Sequence, residues 1–169
     1  MQFGEPEPLR DEHDVANFES GEPSLDDWLT QRAIKSQSAN TARTFIVTEL
    51  ENKRAIGYVS LASGSVRREQ ATRAFARNAP DPIPVAILAR LAVDLEHQGI
   101  GLGTTLLIYS LKQVVTASKH VAIKAVVVNP ISESATEFYK LNGFRAMPKD
   151  ESTLHMTLAE IQATLAEFS

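Results

Sequence analysis

The 169-residue chain contains no cysteine. A disulfide scaffold and a thiolate metal centre are therefore excluded, and a reducing cytosol poses no chemical difficulty. Long apolar runs are missing as well. The most hydrophobic stretch, "PIPVAILARLAVDL", is interrupted by Arg90 and is too short to cross a bilayer. The opening "MQFGEPEPLRDEHD" is acidic and lacks the apolar segment of a signal peptide, so a cytoplasmic location with no membrane partner is expected. There is no excess of positive charge either. Seventeen Lys and Arg stand against 21 Asp and Glu, a formal net charge of −4, which argues against indiscriminate coating of nucleic acid. His13, His97, His120 and His155 show no His-x-x-x-His spacing, and no nucleophile elbow occurs. No metal is expected, and hydrolysis has no support.

With 43% hydrophobic and 22% charged residues, and no repeat or linker, residues 1–169 are expected to form a single domain. "SLDDWLTQRAIKSQ" places Leu25, Trp28, Leu29 and Ala33 at helical spacing, with a start signal at Ser24. "ARTFIVTEL" and "AIGYVSLASGSV", joined by the polar "ENKR", predict a hairpin. "VAILARLAVDL" predicts a long buried strand, and "TTLLIYSLKQVVTAS" a helix with Leu107, Leu111, Val114 and Val115 on one face. "HVAIKAVVVN" predicts another strand. "ISESATEFYKLNG" predicts a helix stopped by Gly143, with "FRAM" and "STLHMTL" closing the sheet before a last helix over "AEIQATLAEF". The order is mixed α/β.

Between the long strand and the helix after it stands "HQGIGLG", with Gly99, Gly101 and Gly103 on alternate positions. A dinucleotide fingerprint needs its third glycine where Thr104 stands, and a triphosphate loop needs Gly-Lys-Ser/Thr where the chain has Gly103-Thr104-Thr105. What remains is either a tight strand-to-helix turn or a set of unblocked backbone N–H groups at a helix start, suited to an anion.

The spacing Gln98-x-x-Gly101-x-Gly103 resembles the signature of the GNAT (GCN5-related N-acetyltransferase) superfamily, whose loop cradles the pyrophosphate of coenzyme A. The "ILARLAVD" strand before it and the amphipathic helix after it fit that pattern. "NPISESATEFYKLNGF" is similar to the closing motif of the same superfamily. The resemblance implies a mixed sheet of about six to seven strands with a splayed fourth and fifth pair, flanked by about four helices. It further implies acetyl-CoA as cosubstrate. Cofactor contacts would come from Leu91, Ala92, Val93, Gln98, Gly99, Ile100, Gly101, Leu102, Gly103, Thr104 and Asn129, and Tyr139 would protonate the departing thiolate.

From about Glu5 to Phe144, "PEPL", "DDWL", "ARTFIV", "RNAPDPIPV" and "ILARLAVD" follow one another as in the acetyltransferase toxins of type II toxin–antitoxin systems. That resemblance implies acetylation of the α-amino group of aminoacyl-tRNA, a block on translation, a homodimer, and a ribbon-helix-helix antitoxin as partner. Arg67, Arg68, Arg73 and Arg77, with only Glu69 opposing them, become tRNA-binding candidates, with Arg32 and Lys35 as weaker ones. Acetylation of a small amine or protein N-terminus, or a non-enzymatic coenzyme A-fold binding partner, are the alternatives.

Overall fold

The computed structural model describes residues 3–167; Met1, Gln2, Phe168 and Ser169 lie outside the described residues. Thirteen elements follow in chain order: β1 (Glu7–Pro8), α1 (Pro23–Gln31), α2 (Ala33–Ser38), β2 (Arg43–Thr48), β3 (Ala55–Val66), α3 (Arg73–Ala76), β4 (Ile83–Val93), α4 (Leu102–Ser118), β5 (Ala125–Val128), α5 (Glu133–Leu141), β6 (Arg145–Met147), β7 (Asp150–Thr157) and α6 (Leu158–Ala166). Among the described residues this is a seven-stranded mixed sheet, ordered β1-β2-β3-β4-β5-β7-β6, with six α-helices rather than about four. The extra count comes from the four-residue α3 and from a division of the first helix.

That division is local. Arg32, at φ −123°, leaves the helical region between α1 and α2. The helix start also differs from expectation. Pro23, with its fixed φ, opens α1, and Glu22 precedes it without a side-chain cap. Leu29 and Ala33 are buried as the spacing predicted, while Leu25 and Trp28 are partly buried against the same cluster. The β2–β3 hairpin forms as expected, antiparallel from Arg43 opposite Leu61 to Thr48 opposite Ala55. β5 is shorter than "HVAIKAVVVN" suggested: only Ala125–Val128 pair, all four buried. α6 is closed at its start by a capping box between Thr157 and Glu160.

The chain divides into two compact units, Met1–Ala62 with Ala89–Ser110, and Ser63–Leu88 with Leu111–Ser169. In the first, Leu9, Phe18, Leu29, Ala33, Ile46, Ala55, Tyr58 and Ala92 make the core. Tyr58 organises it. Its hydroxyl donates to the Leu25 carbonyl at 2.7 Å, Phe18 meets it edge-on, and Trp28 stacks on it at 6.0 Å. In the second unit Phe75, Ile83, Val85, Ala125, Val127 and Met147 pack together beneath the arginine-rich segment. Each cluster draws on residues distant in sequence, so burial of apolar area sets their assembly.

Candidate active site

β4 runs parallel to β5 for only two residue pairs, Ala86 with Val126 and Ile87 with Val127. β4 nevertheless continues to Val93, and β5 ends at Val128. Past Ile87 no further parallel pair forms among the described residues, and β5 itself ends one residue after Val127. Of the three residues expected to offer free backbone groups, Ala92 is buried and Leu91 and Val93 are half-buried. The Val93 carbonyl is already engaged: it accepts from the Gln98 amide at 2.9 Å.

Gln98 thus has a structural occupation. The same amide nitrogen donates to the Ser20 carbonyl at 3.0 Å, so the side chain ties the loop to the end of β4 and to the segment before α1.

Gly99 and Gly101 sit at φ +80° and +88°, the left-handed region that side chains disfavour. A Cβ at either position would meet no atom within 4 Å. The glycines are required by conformation, and they leave the outer face of the loop open. Ile100 between them is 48% exposed. Leu102 then turns inward and is fully buried, so it can present only its backbone to a ligand. Gly103 and Thr104 lie in the first turn of α4, and intrahelical bonding begins with Thr105 N–H to the Gly101 carbonyl at 3.0 Å. The N–H groups ahead of Thr105 are those a helix cannot satisfy internally, and with the dipole they favour an anion. An open glycine loop with unpaired N–H groups fits the phosphate end of coenzyme A.

Asn129 and Tyr139 belong to the second unit. Asn129 follows β5 and is exposed; its Oδ1 accepts from Thr153 Oγ1 at 2.7 Å. Tyr139 is set by the helix that carries it. Ser132 caps α5 by accepting from the Ala135 N–H. At the other end Gly143 adopts φ +99°, Gly143 N–H bonds to the Lys140 carbonyl, and Phe144 N–H returns to the Tyr139 carbonyl at 3.0 Å. This double closure fixes Tyr139 in the last turn. Phe138 and Phe144 meet its ring edge-on at 5.2 and 5.4 Å. The side chain is buried, and its hydroxyl has no hydrogen-bond partner among the described residues. Burial pushes the phenol well above its usual range. It therefore keeps its proton at neutral pH.

The arginine-rich segment divides by role. Arg67, Arg68, Arg73 and Arg77 are all exposed. The Arg68 guanidinium, however, donates to the Ala76 and Ala79 carbonyls at 2.5 and 2.6 Å, stapling its own loop. Arg67 pairs loosely with Glu69 at 3.7 Å. Arg73 and Arg77 remain the exposed cations of the segment, and in the first unit Arg32 and Lys35 are exposed too. His97, just ahead of the loop, is half-buried, with Nδ1 3.6 Å from Asp94. Sequence reasoning passed over Asp94 altogether. Beyond the turn it caps, its partners lie at positions 19 and 54, too far along the chain to leave a local signal.

Residues 8–144 match the model of the acetyltransferase (GNAT) family. Over 165 residues, 98% of each chain, the sequence is 36% identical to a tRNA-acetylating toxin of Mycobacterium tuberculosis (strain ATCC 25618 / H37Rv). The fold is similar to that of AtaT complexed with acetyl-methionyl-tRNAfMet, with a TM-score of 0.88, 27% identity, and coverage of 96% of this chain and 99% of that one. It is similar also to an AtaT mutant toxin bound to the C-terminus of the antitoxin AtaR and acetyl-CoA, with a TM-score of 0.83, 26% identity, and coverage of 98% and 99%. The family match over residues 8–144, the full-length relative and the open glycine loop converge: the chain belongs to the GNAT family of acetyltransferases.

Proposed function

We propose that this protein transfers the acetyl group of acetyl-CoA to the α-amino group of aminoacyl-tRNA, and that it acts as a translation-blocking toxin. The observation that carries the acceptor is the 36% identity, along 98% of both chains, to a toxin that acetylates tRNA. The family match runs through both compact units, which supports reading residues 1–169 as one catalytic domain.

The chain's own residues supply positioning and one proton. Gln98 holds the loop, Gly99 and Gly101 keep its face open, and the N–H groups of Leu102, Gly103 and Thr104 receive phosphate oxygens. Leu91 and Ala92 offer backbone groups to the pantetheine arm, and Asn129 an amide held on one side by Thr153. Acetyl-CoA brings an activated acyl group. The incoming neutral amine forms a new C–N bond as the C–S bond breaks; Tyr139 hands its proton to the departing sulfur, the nitrogen sheds its surplus proton to water, and water returns a proton to the phenolate. An α-amine with pKa about 7.7–8.0 is neutral in roughly a tenth of molecules at pH 7, against about one in a few thousand for a lysine near 10.4. An α-amine acceptor therefore demands less of a general base.

Arg73 and Arg77 are the exposed cations offered to tRNA phosphates, with Arg67, Arg32 and Lys35 in support. A ribbon-helix-helix antitoxin and a homodimer complete the proposal. The test is incubation of the protein and Tyr139→Phe with acetyl-CoA and charged tRNA, followed by nuclease digestion and mass spectrometry of aminoacyl-adenosines. An acetyl adduct made by the parent and largely lost in the variant is expected. Absence of any adduct with every charged tRNA, beside turnover of a small amine or peptide N-terminus, would overturn the tRNA reading.

A further inference from the structure

We propose that Asp94 is a positioning residue for acetyl-CoA: its buried carboxylate holds the glycine loop in its binding shape. This rests on the proposed role of that loop as the pyrophosphate cradle.

Asp94 directly follows β4 and is 2% exposed. One carboxylate oxygen accepts from the Glu96 N–H at 3.1 Å and so caps the 3-10 turn Leu95–His97. The other takes the Glu19 N–H and the Arg54 guanidinium, each at 3.3 Å. His97 Nδ1 approaches the first oxygen to 3.6 Å. The backbone of Asp94 is held as well, its N–H by the Ile56 carbonyl at 2.9 Å and its carbonyl by the His97 N–H at 2.8 Å. Beside it, Leu95 N–H donates to the Glu19 carbonyl at 2.8 Å and Gln98 to the Ser20 carbonyl at 3.0 Å. Residues 94–98 are thus strapped to residues 19 and 20. Ser20 is bound in turn, through N–H and Oγ, to the Asp26 carboxylate in the first turn of α1.

Two facts make this more than a turn cap. A cap alone is satisfied by a neutral Ser or Asn, whereas removing a carboxylate from water is costly unless charge and hydrogen bonds compensate it. Here Arg54 does so while also holding Glu49 at 2.7 Å. Next, the loop downstream has little packing of its own. No atom lies within 4 Å of a Cβ at Gly99 or Gly101, and Ile100 is half exposed. Its shape must be imposed from its two ends. Buried Leu102 anchors one, and the Asp94–Gln98 strap anchors the other.

The test titrates acetyl-CoA into the full chain by calorimetry, with Asp94→Ala and Asp94→Asn beside the parent. With the strap lost, the acetyl-CoA Kd is expected to weaken by about tenfold for Asp94→Ala. Asp94→Asn, which retains a carbonyl oxygen for the Glu96 N–H, falls between, and it decides the matter where the alanine variant does not fold. In turnover, KM for acetyl-CoA rises in parallel while kcat at saturation stays within about twofold. A lowered melting temperature with unchanged Kd would show a purely structural role and overturn the proposal. So would a fall in kcat at constant KM. Failure of the parent itself to bind acetyl-CoA would instead remove the cradle reading on which the proposal stands.

Discussion

The ring of Phe75, on the short helix α3, lies 5.1 Å from the ring of His155 on β7, and the imidazole is fully buried with neither nitrogen hydrogen-bonded among the described residues. Burial, and next the nearby Arg145, hold His155 below the usual imidazole range, with Glu160 opposing them. It is folded as a neutral ring beneath the segment that bears Arg73 and Arg77. Because the unfolded chain takes up a proton near pH 6.5 and the folded one resists it, stability is full above that pH and falls as pH drops below it. In melts at pH 7.5 and 5.5, His155→Leu should lose less stability on acidification than the parent does. Equal losses would remove His155 as a source of acid sensitivity.

Tyr139 is protonated throughout the working range, since burial raises its phenol. The pH profile of kcat/KM should therefore rise through about 7.7–8.0, as the acceptor amine loses its proton, and show no falling limb below about pH 9.5. Tyr139→Phe should lower kcat by about 10²–10⁴-fold. Because the hydroxyl has no hydrogen-bond partner among the described residues, stability should change little, and melting curves check this beside stopped-time assays.

Gly101 separates conformation from ligand space. Replacing it with alanine introduces a Cβ that touches nothing in the protein but sits on a left-handed backbone. Strain of about 1–2 kcal/mol should lower the melting temperature modestly. If phosphate oxygens occupy that open face, the acetyl-CoA KM should rise by more than about tenfold, which steady-state kinetics measures.

Arg68 and its neighbours should respond to different measurements. Arg68→Ala removes two bonds to the Ala76 and Ala79 carbonyls and should cost about 1–3 kcal/mol of stability. Arg73→Glu with Arg77→Glu should leave melting unchanged. These reversals should weaken tRNA binding and flatten its dependence on salt, since each lost phosphate contact lowers the slope by about one. Titrations at several salt concentrations distinguish the two classes.

Much of this was legible in order along the chain. The β-rich runs "ARTFIVTEL" and "AIGYVSLASGSV", joined by the polar "ENKR", pointed to a hairpin, and helical spacing in "TTLLIYSLKQVVTAS" to a helix, in which Leu107, Leu111 and Val114 are buried and Val115 is half-buried. The site's chemical parts were also readable, because glycines, Tyr139 and Asn129 are identities that the linear sequence states. β1 escaped notice: two residues, one of them proline, carry no periodic signal, and only pairing with Phe45 and Ile46 makes them a strand.

The sequence by itself thus determined where helices and strands form, which loop must accept positive φ, and which chemical groups are available, since each depends on local backbone preference or on residue type. Tertiary structure alone decided which groups are free. It committed Gln98 to Val93 and Ser20, Arg68 to its own loop and Asp94 to Glu19 and Arg54, while the Tyr139 hydroxyl met no partner among the described residues. The reason is physical: a hydrogen bond is satisfied by whatever folding brings within about 3 Å, and sequence distance places no limit on that.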